Sequence, residues 1–180
     1  MLDTNILVDF ALIEGRKNNQ EPLTEPLRKS KSLLNLYLER RFHNCYTNWN
    51  ICEFKDVFTR LVEEKKLIGH GYHMHEFSEA RKLLPLTNEE LTEVSLVVER
   101  TLKFSSNYPP TFDRNEAEEL LALVARGFST LDAVLLLKAK SIGCEYFVTR
   151  DNALIARAKE FKETRPKIVS REKAISILSR

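Results

Sequence analysis

Four carboxylates in this chain stand where strand-like runs meet helical ones: Asp3, Glu53, Asp132 and Asp151. Asp3 follows an N-terminal Met-Leu and precedes Thr4, Asn5 and the apolar run Ile6-Leu7-Val8, so a charge sits at an apolar junction where it needs partners. Asp151 lies just beyond the carboxyl end of the strand-like run Glu145–Thr149 (EYFVT) and directly before a helical pattern. Glu53 falls about one turn into the helix expected after Phe42–Tyr46 (FHNCY). Asp132 belongs to the first turn of the apolar helix that feeds the strand before Asp151. In an open parallel sheet, ligands bind beyond the carboxyl ends of the strands, so all four acids can meet at one edge. Carboxylates gathered there repel one another and call for a cation. Hard divalent ions such as Mg²⁺ or Mn²⁺ favour oxygen ligands of this kind.

Each acid also has a plainer role open to it. Asp132 is the third residue after Ser129, where an acid complements the helix dipole regardless of function. Asp151 can cap the helix that starts at Asn152, and Glu53 can be a surface residue, although Ile51, Cys52 and Phe54 flank it. The combination of the four is more informative than any member.

The elements that must position these acids alternate. Strand-like runs occur at the N-terminus, Phe42–Tyr46, Glu145–Thr149 and Lys167–Val169, each short and aromatic or β-branched. Helical patterns fill Glu25–Arg41, Trp49–Lys66, Thr87 to about Lys103, Ser129 to Gly143, Asn152–Glu163 and Ser170–Leu178. Thr87 with Glu90 makes a capping box, and Ser129 with Asp132 makes another. Such alternation predicts an α/β fold with a short parallel sheet covered on both faces. The interval from Gly69 to Asn115 shows no strand signal and is expected as a purely helical insert within a single domain spanning residues 1–180, with Pro109-Pro110 at its exit. Residues Gly15 to Pro26 are expected as a polar loop.

Bulk composition narrows the function classes. With 43% hydrophobic and 30% charged residues, the chain has an ordinary globular balance. Its longest apolar stretch, Leu120 to Ala125, is too short to span a bilayer, and no charged-then-apolar leader precedes Asp3; a cytoplasmic, non-membrane protein is expected. Three cysteines at unpaired spacing suggest neither a disulfide framework nor a zinc site. The net charge of +2 announces no nucleic-acid partner, but seven basic residues face three glutamates between Arg157 and Lys173, suiting either a phosphate backbone or a solvated helix face. His70, His73 and His75 lack an acid or cysteine at metal-ligand spacing and are expected as surface loop. No phosphate-binding glycine loop or serine nucleophile elbow is present.

"LDTNILVDF", "TNWNICEF" and "STLDAVLLLKAKSIGCEYFVTRDNAL", in that order, resemble the PIN-domain ribonucleases, the group that includes the VapC-type toxins. The resemblance covers Met1 to about Phe58 and Thr111 to Val169. It implies a three-layer α/β/α fold and an acidic site holding Mg²⁺ or Mn²⁺. By position, Asp3, Glu53, Asp132 and Asp151 match the family's acids, which serve as both metal ligands and catalytic groups. Hydrolysis of an RNA phosphodiester by a metal-activated water then follows, with Glu53 as ligand or water-orienting base and with Asn5 and Thr149 fixing the carboxylates by hydrogen bonds. An RNA substrate, an antitoxin protein and a homodimeric partner belong to the same expectation. For the homodimer, Leu33, Leu34, Tyr37, Leu38, Leu120, Leu121, Leu123 and Val124 supply apolar helix surface. Many VapC-type toxins place their last acid three residues beyond Asp151, where this chain has Leu154, and the insert makes it longer than a minimal toxin. Two other readings stand beside this one. A haloacid-dehalogenase-type phosphatase also begins with a strand-end Asp but needs a second Asp two residues later, where this chain has Asn5. A non-catalytic RNA-binding module could keep the fold alone.

Overall fold

Thr4 to Asn18 form the first helix, α1, because Asp3 holds an extended backbone (φ −70°, ψ 154°) and its carboxylate caps the Thr4 N–H. The structure, a computed structural model, describes residues 1–109, 111–159 and 166–179. Helix α2 (Glu25–Leu38) starts with Pro26 in its first turn, where the missing N–H is harmless. Strand β1 (Asn44–Thr47) runs into α3 (Asn48–Gly69), whose start is fixed by a capping box between Thr47 and Asn50. A short 3₁₀ turn (Met74–Glu76) leads to α4 (Phe77–Leu83), followed by α5 (Asn88–Thr101), β2 (Ser105–Tyr108) and α6 (Arg114–Ala125). The chain continues through α7 (Thr130–Ser141), β3 (Tyr146–Thr149), α8 (Asn152–Lys159), β4 (Lys167–Ser170) and α9 (Arg171–Leu178).

All strand pairs are parallel: β1 with β2, and β3 with β4. The N-terminal segment lies between the two ladders. On one side Leu2 bridges Val148 in parallel, with Asp3 N–H donating to the Val148 carbonyl at 2.9 Å and Val148 N–H to the Met1 carbonyl at 3.0 Å. On the other side the Leu2 N–H donates to the Asn44 side chain of β1 at 2.8 Å. The strands thus form two separate parallel pairs, β1–β2 and β3–β4, with the N-terminal segment bridged to β3 by backbone and to β1 through the Asn44 side chain. Alternate residues enter two different cores: Leu2 and Val148 join a cluster with α1, α2, α3 and α5, whereas Met1 and Phe147 join one with α6, α7 and Leu154 of α8. The architecture is therefore mixed α/β, with helices packed against both faces of short parallel strands.

Four expectations are corrected. The insert is not purely helical: Ser105–Tyr108 pairs with all four residues of β1, because the backbone of SSNY finds an open strand edge despite its polar side chains. The first strand shrinks to one bridge, since the helix begins at Thr4 and leaves only Met1 to Asp3 to pair. The polar loop expected from Gly15 to Pro26 is shorter, since α1 runs on through Gly15 to Asn18 and α2 already begins at Glu25. Of the eight residues offered for a homodimer, Leu33, Leu34, Tyr37 and Leu123 are buried in the protein's own cores, Leu120 is half-buried, and Leu38, Leu121 and Val124 are exposed. The capped helices at Thr87 and Ser129 form as expected. The expected continuation of α8 to Glu163, the central part of the basic segment and Pro110 lie outside the described residues. No described helix is long and apolar enough to cross a membrane.

Candidate active site

Three of the four acids come together where α1, α3 and α7 begin. Asp3 is 6% exposed, and its carboxylate is held from several directions. Oδ1 accepts the Thr4 N–H at 2.7 Å, and Oδ2 accepts the Asn5 Nδ2 amide at 2.6 Å and the Thr149 hydroxyl at 2.5 Å. Glu53, half-buried on α3, receives a short hydrogen bond from the Thr4 hydroxyl. Thus the Asp3-Thr4-Asn5 tripeptide holds two carboxylates: Thr4 through its backbone and side chain, Asn5 through its amide.

The electrostatics match this crowding. The Asp3 carboxyl is pushed up to about 6: burial is the largest influence, and the charges of Glu53 and Asp132 act with it, against the hydrogen bonds from Thr149 and Thr4. Glu53 is likewise raised, first by burial and then by the charges of Asp132 and Asp56, against the Thr4 hydrogen bond. Asp132 therefore acts on both. It also serves its helix: Ser129 Oγ accepts its N–H at 3.0 Å and donates to its Oδ2 at 2.6 Å. Asp132 thus belongs to the cap of its own helix and also bears on the charge of Asp3 and Glu53.

Asp151 sits on the other side of Thr149. Its carboxylate is exposed, and Oδ1 caps α8 by accepting the Ala153 and Leu154 N–H groups at 2.7 and 3.0 Å. The link to the cluster is indirect: its own N–H donates to Thr149 Oγ1 at 2.9 Å, and that hydroxyl donates to Asp3. Leu154, in the position where an acid was absent, is 3% exposed and packs into the core. His70, His73 and His75 are exposed as expected.

A fifth acid, Asp9, is 2% exposed inside α1. It accepts from Ser30 and pairs with Arg150 at 3.1 Å and Arg171 at 3.6 Å. Burial raises its carboxyl above the usual range, against Ser30 and the two guanidinium groups. Its signal was a lone charge within Ile6–Ile13, an otherwise apolar run. Arg150 also donates its backbone N–H to Asn5 Oδ1 at 3.1 Å, so the loop after β3 is tied to α1 at two points. Asn5, Arg150, Asp151 and Arg171 line an open polar cleft of about 510 Å³.

The cluster offers oxygen donors only, and its strongest electrostatic influences on Asp3 include two carboxylates and no cation. That donor set fits a hard divalent ion. Among the described residues no three His, Cys, Asp or Glu side chains converge as a ready-made metal shell. Mg²⁺ does not need one, since it is commonly held by one or two carboxylates with water completing the octahedron. No protein-family model, curated protein or solved structure matches this chain.

Proposed function

We propose that this chain is a PIN-like metal-dependent ribonuclease of three-layer α/β/α architecture. The observation that carries the reading is Asp3: a buried carboxylate held by Thr4, Asn5 and Thr149 beside two further acids. Asp3, Glu53 and Asp132 would hold Mg²⁺ or Mn²⁺, and Asp151 would add negative charge from the neighbouring cleft. A cation bound there supplies Lewis-acid polarisation of the phosphodiester and lowers the pKa of water at neutral pH. The protein's own part is positional. Asn5 and Thr149 fix the Asp3 carboxylate, and Glu53 would be a metal ligand or orient a water and accept its proton.

The phosphatase alternative is disfavoured by Asn5. Its amide donates to Asp3 and Thr149, and its carbonyl accepts the Arg150 N–H, so the position orients Asp3 rather than offering an acid. An antitoxin or a second copy would find Leu38, Leu121 and Val124 exposed; light scattering showing only the 20.9 kDa monomer removes the homodimer. The deciding experiment is cleavage of mixed RNAs with Mg²⁺ or Mn²⁺ by the parent and by Asp3→Asn. Loss of cleavage in a folded variant is expected. Retained cleavage at matched metal concentration overturns the proposal, and a parent inert on all RNAs favours a non-catalytic module.

A further inference from the structure

Trp49 is the chain's single tryptophan, and it is 44% exposed at the start of α3. Burying an indole is among the larger apolar gains open to a fold, yet this one is left half in solvent. Among the described residues, it stacks on no ring, and its N–H has no hydrogen-bond partner. Its backbone is nonetheless fixed. The Thr47–Asn50 capping box sets the first turn of α3, with the Thr47 N–H donating to Asn50 Oδ1 at 2.9 Å. Four residues on, on the same helical face and about 6 Å along the axis, stands Glu53.

Two carboxamides complete the surroundings. Asn48 and Asn107 are exposed and joined by a hydrogen bond of 3.2 Å, at the carboxyl end of the β1–β2 ladder. Each carboxamide carries both donors and an acceptor. An exposed indole on a fixed helix turn, next in sequence to one of two paired amides, is chemistry that can take up an unpaired nucleobase: the ring stacks, and the amides meet the base edge. It also suits this acidic neighbourhood, because Glu53, Asp56 and Asp132 repel phosphates whereas stacking is uncharged.

We infer that Trp49, with Asn48 and Asn107, forms a subsite that stacks an unpaired base next to the acid cluster. This rests on the ribonuclease reading above. A base within a duplex is already stacked and presents no face to the indole.

Because Trp49 is the single tryptophan, intrinsic fluorescence reports on this subsite alone. The experiment titrates the full-length protein in EDTA with a short unstructured RNA, and separately with the same sequence closed in a hairpin duplex. Saturable quenching by the single strand, with little response to the duplex, is expected. Read by the anisotropy of a dye-labelled strand, which does not need the indole, Trp49→Ala should bind the single strand about five- to 150-fold more weakly, and Trp49→Phe should recover most of that loss. Unchanged fluorescence, or equal quenching by duplex, overturns the subsite. Quenching without any Mg²⁺- or Mn²⁺-dependent cleavage sustains the subsite while removing the ribonuclease reading; cleavage without quenching does the reverse.

Discussion

The Thr149 hydroxyl donates to Asp3 Oδ2 at 2.5 Å while accepting the Asn5 amide at 3.0 Å and the Asp151 N–H at 2.9 Å. A hydroxyl has one proton and two lone pairs, so this fully buried group is completely used. It joins the end of β3, the start of α1 and the start of α8 at one oxygen.

Thr149→Val keeps the shape and removes that junction. The Asp151 N–H loses its acceptor, and Asp3 loses a donor that favours its charged form. Urea unfolding in EDTA should show a loss of about 1–3 kcal/mol. Mg²⁺ affinity at neutral pH should fall about 10- to 100-fold. Thr149→Ser should restore both, and a Val variant of parental stability would mean the junction is ornamental.

Asp3 sets a pH dependence for the metal-free protein. Its folded-state pKa is raised, so the folded state binds this proton more tightly than the unfolded chain does. The associated stability is fully present below about 4 and is lost as pH rises through about 6. A rise from the ordinary 3.8 to about 6 corresponds to a loss of about 3 kcal/mol across that window. Glu53 and Asp9 are raised as well and add in the same direction, whereas Glu90, Glu116 and Glu172 are lowered and oppose it. The difference between parent and Asp3→Asn isolates the Asp3 contribution. Denaturant midpoints in EDTA should fall from pH 4.5 to 7 more steeply in the parent than in the variant. Parallel curves would remove the buried-acid assignment.

Much of this site was legible because its signals are local. Asp3 stood out as a charge between apolar residues, and the Ser129 cap fixed where Asp132 would sit. Asp151 followed from a strand-like run ending at a helix start, and Thr149 from the resemblance that matched the end of that run. What stayed hidden depends on distant partners. Strand β2 has the polar sequence SSNY, and it forms because β1 offers an edge and Tyr37, far away in α2, accepts the Phe104 N–H at 3.1 Å just before the strand. Asp9 was overlooked although its setting resembles that of Asp3, because its partners Ser30, Arg150 and Arg171 belong to three separate segments.

Asn44 is a third such long-range group, and it carries its own expectation. Its Oδ1 accepts the Leu2 N–H at 2.8 Å, and its Nδ2 donates to Ser105 Oγ at 3.0 Å, so one buried amide joins the N-terminal segment to β1 and β2. Asn44→Leu leaves the Leu2 N–H unpaired and should destabilise by about 1–3 kcal/mol in thermal or urea unfolding. Hydrogen exchange at Leu2 should accelerate while α6 and α7 keep their protection. Uniform acceleration would mean that Asn44 acts on the whole fold rather than on the junction.

Asp132 and Asp151 are both helix-start acids, and substitution separates their roles. Asp132→Asn keeps an acceptor for Ser129 but removes a charge that raises both Asp3 and Glu53. Relief of repulsion offsets the lost helix-dipole term of about 0.3–1 kcal/mol, so the metal-free variant should be as stable as the parent or more so. Asp151→Asn keeps the cap on Ala153 and Leu154, because Asn is as good an N-cap as Asp, and should be neutral in stability. Saturating Mg²⁺ stabilises a folded-state binder by about 2.7 kcal/mol at one hundred times Kd. That shift should nearly vanish in Asp132→Asn and be only partly reduced in Asp151→Asn, whose carboxylate meets the cluster through Thr149 alone. Melting curves with EDTA and with Mg²⁺ read all of these at once. A full parental Mg²⁺ shift in Asp132→Asn, together with a metal-free loss of stability, would make Asp132 a cap and leave the cation to Asp3 and Glu53. A larger reduction in Asp151→Asn than in Asp132→Asn would move the cation into the cleft beside Asn5 and Arg150.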